Sequence, residues 1–179
     1  MKKAFTLLEM VFIIVVIGIL AAVMIPRIKT NPVAEAAVKL LSQIRYTQHL
    51  AMIDDKFDSS NSVWYKNRWQ IVLNGNKFSI VSDNKFAKNP QNNIDLHNIP
   101  LKGITSITTA GGCANKSIIS FDHLGRPLVG SLAATTAAYT ATGNDGVLLT
   151  SDCNLTLTNS DENATITIRP ETGYASIES

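Results

Sequence analysis

The chain has 179 residues, of which 45% are apolar and 17% are charged, so it can bury a core and is neither disordered nor collagen-like. Its 16 basic and 14 acidic residues nearly balance and form no basic stripe, which disfavours a nucleic-acid binder driven by bulk charge. The two cysteines, Cys113 and Cys153, belong to no CxxC pair and no Cys/His cluster. We therefore expect no zinc or iron–sulfur site, and no cofactor.

The first predicted element is the apolar segment Phe5–Ile25, interrupted only by Thr6, Glu9 and Gly18. A helix of this length rises about 32 Å, which matches a hydrocarbon core of about 30 Å and predicts a transmembrane helix. A secretory signal peptide is disfavoured, because the run ends in Met-Ile-Pro-Arg rather than in small residues. A buried core helix is also disfavoured, because the segment has no polar side to present to water.

Glu9 is the charged residue of this segment. A carboxylate at mid-bilayer costs about 2.5 to 3.5 kcal/mol on insertion scales, so we expect Glu9 to face a partner rather than lipid. The alternative is a tolerated residue near the helix end, which reaches the interface or takes up a proton.

The stretch 2–9, Lys-Lys-Ala-Phe-Thr-Leu-Leu-Glu, followed by the aliphatic run and Pro26, resembles the N-terminal region of type IV pilins and type II secretion pseudopilins. The resemblance implies that a prepilin peptidase removes residues 1–4 as a leader, at the Ala4–Phe5 bond, and methylates the new amino group of Phe5. Ala4 stands where the family usually has Gly. Glu9 is then expected to pair with the amino group of Phe5 in a neighbouring subunit and to set the register of assembly.

Beyond the apolar run, a second helical pattern covers residues 26–52. Apolar positions recur at alternating spacings of four and three, at Val33, Ala37, Leu40, Ile44, Thr47 and Ala51, with Thr47 as the one polar member. Pro26 and Pro32 each remove a backbone donor and are expected to kink the helix, although Asn31–Pro32 can equally begin a new one. We predict one long, bent helical spine from about Phe5 to about Met52. A coiled-coil seam is disfavoured, because the stripe covers fewer than three heptads.

In the remainder of the chain, residues 53–179, the succession of β-prone runs and turns predicts a β-rich globular domain. Two β-prone runs, 69–73 and 77–81, flank a glycine-containing turn and predict a hairpin. Further strands are predicted at residues 104–108, 117–121, 147–150, 155–158, 165–169 and 174–177. Residues 131–145 lack a period and are predicted to form a long loop, mobile or functional. The expected fold class is α+β and pilin-like, with a long N-terminal transmembrane helical spine packed against a C-terminal antiparallel β-sheet domain.

Two sequence phrases are similar to minor pseudopilins of the GspH/FimT type: residues 119–127, Ile-Ser-Phe-Asp-His-Leu-Gly-Arg-Pro, and residues 166–174, Ile-Thr-Ile-Arg-Pro-Glu-Thr-Gly-Tyr. The resemblance implies a structural subunit of a type II secretion pseudopilus or a type IV pilus, and not an enzyme. It implies a single-pass inner-membrane location, with the C-terminal domain in the periplasm or in an extracellular filament. Other pilins, the prepilin peptidase and the inner membrane are the expected partners, and no small-molecule substrate is implied.

Two other functions stay open at this stage. A DNA-uptake minor pilin would bind DNA, but the acidic C-terminal residues 174–179 disfavour DNA as a partner. A membrane-anchored extracytoplasmic binding domain would instead keep its leader.

If the domain is exported, Cys113 and Cys153 are expected to form a disulfide that stabilises the fold by about 4 kcal/mol on the chain-entropy model. The alternative is two reduced thiols in the core.

Two further motifs carry chemistry of their own. Ser120, Asp122 and His123 invite a hydrolase interpretation, but neighbours on a strand point to opposite faces and cannot form a triad by adjacency, so we expect no catalytic residue.

Asn154 and Asn163 each begin an Asn-x-Thr triplet with an acid two residues earlier, which resembles the extended sequon of bacterial N-glycosylation. The alternative is chance in an Asn/Thr-rich turn. Asn163, in the predicted turn, is the better candidate.

Overall fold

The computed structural model describes residues 6–24, 31–132 and 147–178. The chain divides into two compact units, residues 1–31 and residues 32–179. The helices are α1 (Leu7–Met24) and α2 (Pro32–Ile53), with a short 3-10 helix at Trp64–Asn67. The strands are β1 (Gln70–Asn74), β2 (Lys77–Ser82), β3 (Lys85–Phe86), β4 (Ile99–Pro100), β5 (Ser106–Gly111), β6 (Ile118–Phe121), β7 (Pro127–Val129), β8 (Val147–Leu148), β9 (Cys153–Thr158), β10 (Asn163–Ile168) and β11 (Ala175–Glu178).

The apolar segment forms α1, which is 18 residues long. Within the described ranges, no helix combines the length and the apolar character needed to cross a lipid bilayer. The predicted transmembrane helix and single-pass inner-membrane location are therefore contradicted.

The predicted fold class is also wrong, because the long helical spine does not form. Among the described residues there are two short α-helices instead, and α2 begins afresh at Pro32 after the non-helical Asn31. Proline suits the first turn of a helix, where its missing N–H would have no helical partner, and it disfavours helical geometry in the residue before it. Pro32 is thus a helix start rather than a kink, and Pro26 lies outside the described residues.

The buried face of α2 is the predicted stripe. Its buried residues are Val33, Ala36, Ala37, Leu40, Ile44, Thr47 and Ala51. Thr47 is tolerated there because its hydroxyl donates a hydrogen bond of 2.8 Å to the carbonyl oxygen of Gln43 in the same helix. The periodicity of the sequence therefore identifies the packing face correctly.

The second unit is rich in sheet. Seven strands form one antiparallel sheet in the order β3-β2-β1-β6-β7-β8, with β4 also paired to β2. Four strands form a second antiparallel sheet in the order β11-β10-β9-β5. Helix α2 contacts β1 and β6 of the larger sheet and β9, β10 and β11 of the smaller one, so one core joins the helix to both sheets.

The predicted hairpin is confirmed as β1 and β2, which pair from Asn74↔Lys77 to Gln70↔Val81. The other predicted strands correspond to β5, β6, β8, β9, β10 and β11, with ends shifted by up to a few residues. Residues 133–146, which include most of the predicted 131–145 loop, lie outside the described residues.

Candidate functional site

The start of α1 is capped by Thr6. Its carbonyl oxygen accepts hydrogen bonds from the backbone N–H groups of Glu9 (3.1 Å) and Met10 (3.2 Å), and its hydroxyl oxygen accepts one from Glu9 N–H at 3.3 Å. Thr6 is thus the N-cap and Glu9 the third helical residue, which is the spacing of a capping box. This role of Thr6 is missing from the sequence-based predictions, although the Thr-x-x-Glu pattern is a signal for a helix start.

Apart from Glu9, the described surface of α1 is apolar on every side. Exposed fractions include 84% for Leu7, 68% for Phe12 and 60% for Ile17. Among the α1 side chains that the structure describes, the exposed large apolar ones are Leu7, Leu8, Met10, Val11, Phe12, Ile13, Ile14, Val15, Val16, Ile17, Ile19 and Leu20. A contiguous apolar surface of this kind marks an interaction surface, because water does not solvate it favourably.

Glu9 is the one charged residue of α1, and its side chain is exposed in the first helical turn. A carboxylate near a helix N-terminus interacts favourably with the helix dipole, so part of its role is local. In the described portion of the chain, no cation lies within ion-pair distance of this carboxylate. Ala4 and Phe5, the predicted cleavage and methylation positions, lie outside that portion.

The two segments that resemble pseudopilins, residues 119–127 and 166–174, both accept a hydrogen bond from the same side chain of α2. The Gln48 amide nitrogen Nε2 donates to the carbonyl oxygen of Gly125 at 2.8 Å and to that of Thr172 at 2.9 Å. Gly125 lies in the turn between β6 and β7 of the larger sheet, and Thr172 in the turn between β10 and β11 of the smaller sheet. Gln48 therefore ties both sheets to α2, which gives the two phrases a shared structural role.

The β6–β7 turn is organised by Asp122, whose side chain is only 3% exposed. Its Oδ1 accepts hydrogen bonds from the backbone N–H groups of Leu124 (3.0 Å) and Arg126 (2.8 Å), and its Oδ2 accepts one from Arg126 Nε at 2.7 Å. The carboxylate is thus committed to the turn. Within this described stretch, the buried hydroxyl of Ser120 has no hydrogen-bond partner, and His123 is exposed. The structure does not assemble a hydrolase triad from Ser120, Asp122 and His123.

Beside this turn lies a cleft of about 380 Å³, lined in part by Phe57, Trp64, Arg68 and Arg126. The Arg68 guanidinium lies 4.9 Å from the Trp64 ring centroid, and the Phe57 ring meets Trp64 edge-on at 5.2 Å between centroids. Trp64 is only 7% exposed as a result. Its aromatic face is therefore covered by the protein itself, and we assign no ligand to this cleft.

The disulfide between Cys113 and Cys153 is present, with a Cα–Cα distance of 5.0 Å, and both residues are fully buried. Cys153 begins β9, and Cys113 follows β5, the strand paired with β9. The predicted bridge is thus confirmed. Such bridges are typical of proteins that mature in an oxidising environment.

The two predicted sequon asparagines have different surroundings. Asn154 lies within β9, the strand between β5 and β10, and is half-buried. Asn163 is the first residue of β10 and is exposed. The structure therefore distinguishes two motifs that look alike in the sequence.

In the parts of the chain that the structure describes, no cluster of three or more His, Cys, Asp or Glu side chains could hold a metal ion. No protein-family model matches the sequence, and searches of curated proteins and of solved structures find no similar protein. The resemblance to pilins therefore depends on the motifs of the chain itself.

Proposed function

We propose that the protein is a pilin-like structural subunit of a type II secretion pseudopilus or a type IV pilus, assembled through its N-terminal helix. The observation that carries the proposal is α1, a helix that exposes apolar side chains on every side and has a single charge, Glu9, in its first turn. The proposal includes removal of residues 1–4 by a prepilin peptidase and methylation of the new amino group at Phe5.

The apolar surface of α1 supplies the driving force for assembly. Burying one large apolar side chain contributes about 1.5 to 3 kcal/mol, so burial of the whole α1 surface amounts to something on the order of 20 kcal/mol before the costs of association. The α1 helices of neighbouring copies are the partners that we propose for this surface.

Glu9 supplies the specificity of assembly. Inside a bundle of apolar helices an unpaired carboxylate is strongly destabilising, because it loses its water without gaining a partner. The amino group of Phe5, created by removal of the leader, is a cation that a neighbouring copy can bring to Glu9. Only one axial register brings the two groups together, so the pair selects that register.

The second unit fits a structural role. Gln48, the Cys113–Cys153 disulfide and the Asp122 turn all serve to hold its elements together. It would be carried as a rigid domain by the assembling helix.

The processing step is tested by co-expressing the full chain with a prepilin peptidase and measuring the N-terminal sequence and the intact mass. We expect a chain that begins at Phe5 and carries one added methyl group. A chain that keeps Met1 in the presence of an active peptidase, shown by cleavage of a control prepilin, would contradict the proposal.

The assembly step is tested by Glu9→Gln, which removes the charge but keeps a residue suited to the third position of a capping box. We expect Glu9→Gln to lose incorporation into filaments, measured by shearing and immunoblotting. The matched control is Glu35→Gln, the same change in the first turn of α2, which should leave incorporation intact. Normal incorporation of the Glu9→Gln variant would refute the role of this carboxylate.

A further inference from the structure

The chain contains three Asn-x-Ser/Thr sequons. They differ in whether an acid stands two residues before the asparagine and in whether the asparagine is accessible. The sequons are Asn115–Ser117, Asn154–Thr156 and Asn163–Thr165. Those at Asn154 and Asn163 have an aspartate two residues before the asparagine, Asp152 and Asp161, whereas the sequon at Asn115 has none. The structure then separates the two acidic sequons by accessibility.

Asn163 stands at the turn end of the β9–β10 hairpin. It is paired with Thr158, the last residue of β9, and follows the four-residue turn 159–162. Its side chain is exposed and makes no hydrogen bond within the described residues. A substituent on Nδ2 of Asn163 would therefore extend into solvent and break no contact of the fold.

Asn154 is held in the middle of the smaller sheet. Its neighbours across the two ladders are Ala110 of β5 and Thr167 of β10. Its side-chain oxygen Oδ1 accepts a hydrogen bond from the hydroxyl of Thr167 at 3.0 Å. Asn154 is half-buried, and drawing its sequon out of the sheet would require separating β9 from both neighbours.

We infer that Asn163 is an acceptor of N-linked oligosaccharide, delivered from a lipid-pyrophosphate donor by an oligosaccharyltransferase that reads an acid at the second position before the asparagine. The amide nitrogen Nδ2 of Asn163 attacks the anomeric carbon of the sugar. The bond from that carbon to the pyrophosphate oxygen breaks, the lipid pyrophosphate leaves, and the amide gives up one proton. No oxidation or reduction takes place.

Recognition of the third sequon residue requires a local opening. The Thr165 hydroxyl lies 3.2 Å from the hydroxyl of Thr156 on β9, so the transferase competes with this hydrogen bond. The ends of hairpins open at much lower free energy than the centres of sheets. The first residues of β10 can therefore separate from β9, and Thr165 from Glu178 at the end of β11, while the core of the sheet stays formed.

The test uses the purified full chain, a purified transferase of this class and its lipid-linked oligosaccharide. Two synthetic peptides, covering residues 150–157 and 159–166, serve as unfolded acceptors. We expect both peptides to accept glycan and the folded chain to accept it at Asn163 alone, as read by intact mass and peptide mapping. Asn163→Gln and Asp161→Asn should each abolish the mass increment on the folded chain, with an unchanged circular dichroism spectrum.

A second variant separates access from the sequon itself. Thr156→Val removes the sequon of Asn154 and also releases the Thr165 hydroxyl, so modification of Asn163 should persist at an equal or higher rate. A peptide 159–166 that accepts no glycan would overturn the inference. So would a folded chain that stays unmodified, or one modified at Asn115 or Asn154 instead. None of these outcomes bears on assembly through α1.

Discussion

Gly173 faces the carbonyl oxygen of Gly125 so closely that a Cβ built on Gly173 would lie 2.4 Å from that oxygen. The same Cβ would lie 2.5 Å from Nε2 of Gln48. The backbone φ of Gly173 is +63°, a conformation that residues with a side chain rarely adopt. Gly173 is thus required twice, once by its conformation and once by the approach of the two turns.

The first prediction separates these two requirements. Gly173→Ala should lower the free energy of unfolding by more than Gly75→Ala, because Gly75 has nearly the same φ, +60°, but open space where its Cβ would be. Conformational strain alone should cost each variant about 1 to 2 kcal/mol, and the steric clash adds to it only in Gly173→Ala. Urea unfolding of both variants measures the difference. Equal losses would show that the turns can move apart freely.

The second prediction concerns Gln48, which donates to two carbonyl oxygens from different sheets. Gln48→Glu should destabilise the fold more than Gln48→Ala, because a carboxylate cannot donate to either carbonyl and is repelled by both. The loss for Gln48→Ala should be about 1 to 3 kcal/mol. The neighbouring exposed residue provides a control, His49→Ala, which should change the unfolding midpoint little. A glutamate variant as stable as the wild-type chain would argue against this bridging role.

The third prediction concerns the disulfide. Reduction, or the double change Cys113→Ser and Cys153→Ser, should lower the free energy of unfolding by about 4 kcal/mol, since the bridge closes a loop spanning 40 positions. Denaturant curves with and without reductant measure this loss. The serine variant should be insensitive to reductant, and a thiol assay on the unfolded wild-type chain should detect no free cysteine. Detection of two free thiols would contradict the bridge.

The fourth prediction concerns acid stability. Burial alone would raise the pKa of Asp54, but hydrogen bonds from Lys56 and from the Trp69 indole N–H, together with the charge of Lys56, outweigh burial and lower it. A carboxyl with a lowered folded-state pKa stabilises the fold above its unfolded pKa of about 3.9, and this stability is lost as pH falls through the folded value. Asp54→Asn should therefore lower Tm at about pH 6, and this loss should shrink as the pH falls below the unfolded pKa of about 3.9.

The control for that titration is Asp55→Asn, a change at the adjacent exposed carboxylate, which has no ion-pair partner within the described residues. At about pH 6 its effect on Tm should be smaller than that of Asp54→Asn, because Asp55 lacks the partners Lys56 and Trp69. A difference in Tm between Asp54→Asn and the wild-type chain that does not shrink on acidification would contradict the assigned cause of the lowered pKa.

Long periodic patterns predicted the fold best, because burial imposes its period on many residues at once. The stripe on α2 and the β1–β2 hairpin were both identifiable for this reason. Strands β3, β4 and β7 have two or three residues each, too few for a period to appear. The division of the strands into two sheets depends on long-range pairing, which local patterns do not encode.

The start of α2 at Pro32 and the capping role of Thr6 show a second limit of prediction from sequence, namely that one local pattern can be compatible with two structures or roles. Asn31–Pro32 is compatible with a kink or with a fresh start, and the choice depends on how the chain around it packs. The Thr-x-x-Glu pattern is present in the sequence, but the resemblance to pilins had assigned Glu9 to pairing with the amino group of a neighbouring Phe5 rather than to a helix start. The two roles are compatible, because the capping contact uses the backbone N–H of Glu9 and leaves its carboxylate exposed.

The disulfide also determines how the chain would respond to mechanical load. A force applied to the two ends of the second unit would pass directly from Cys113 to Cys153 through the sulfur atoms. Strands β6 and β7, and β8 with them, lie between the two cysteines in sequence and so off that path. Stretching could extend the chain before and after the bridge, but the intervening residues would contribute no length until the bridge was reduced.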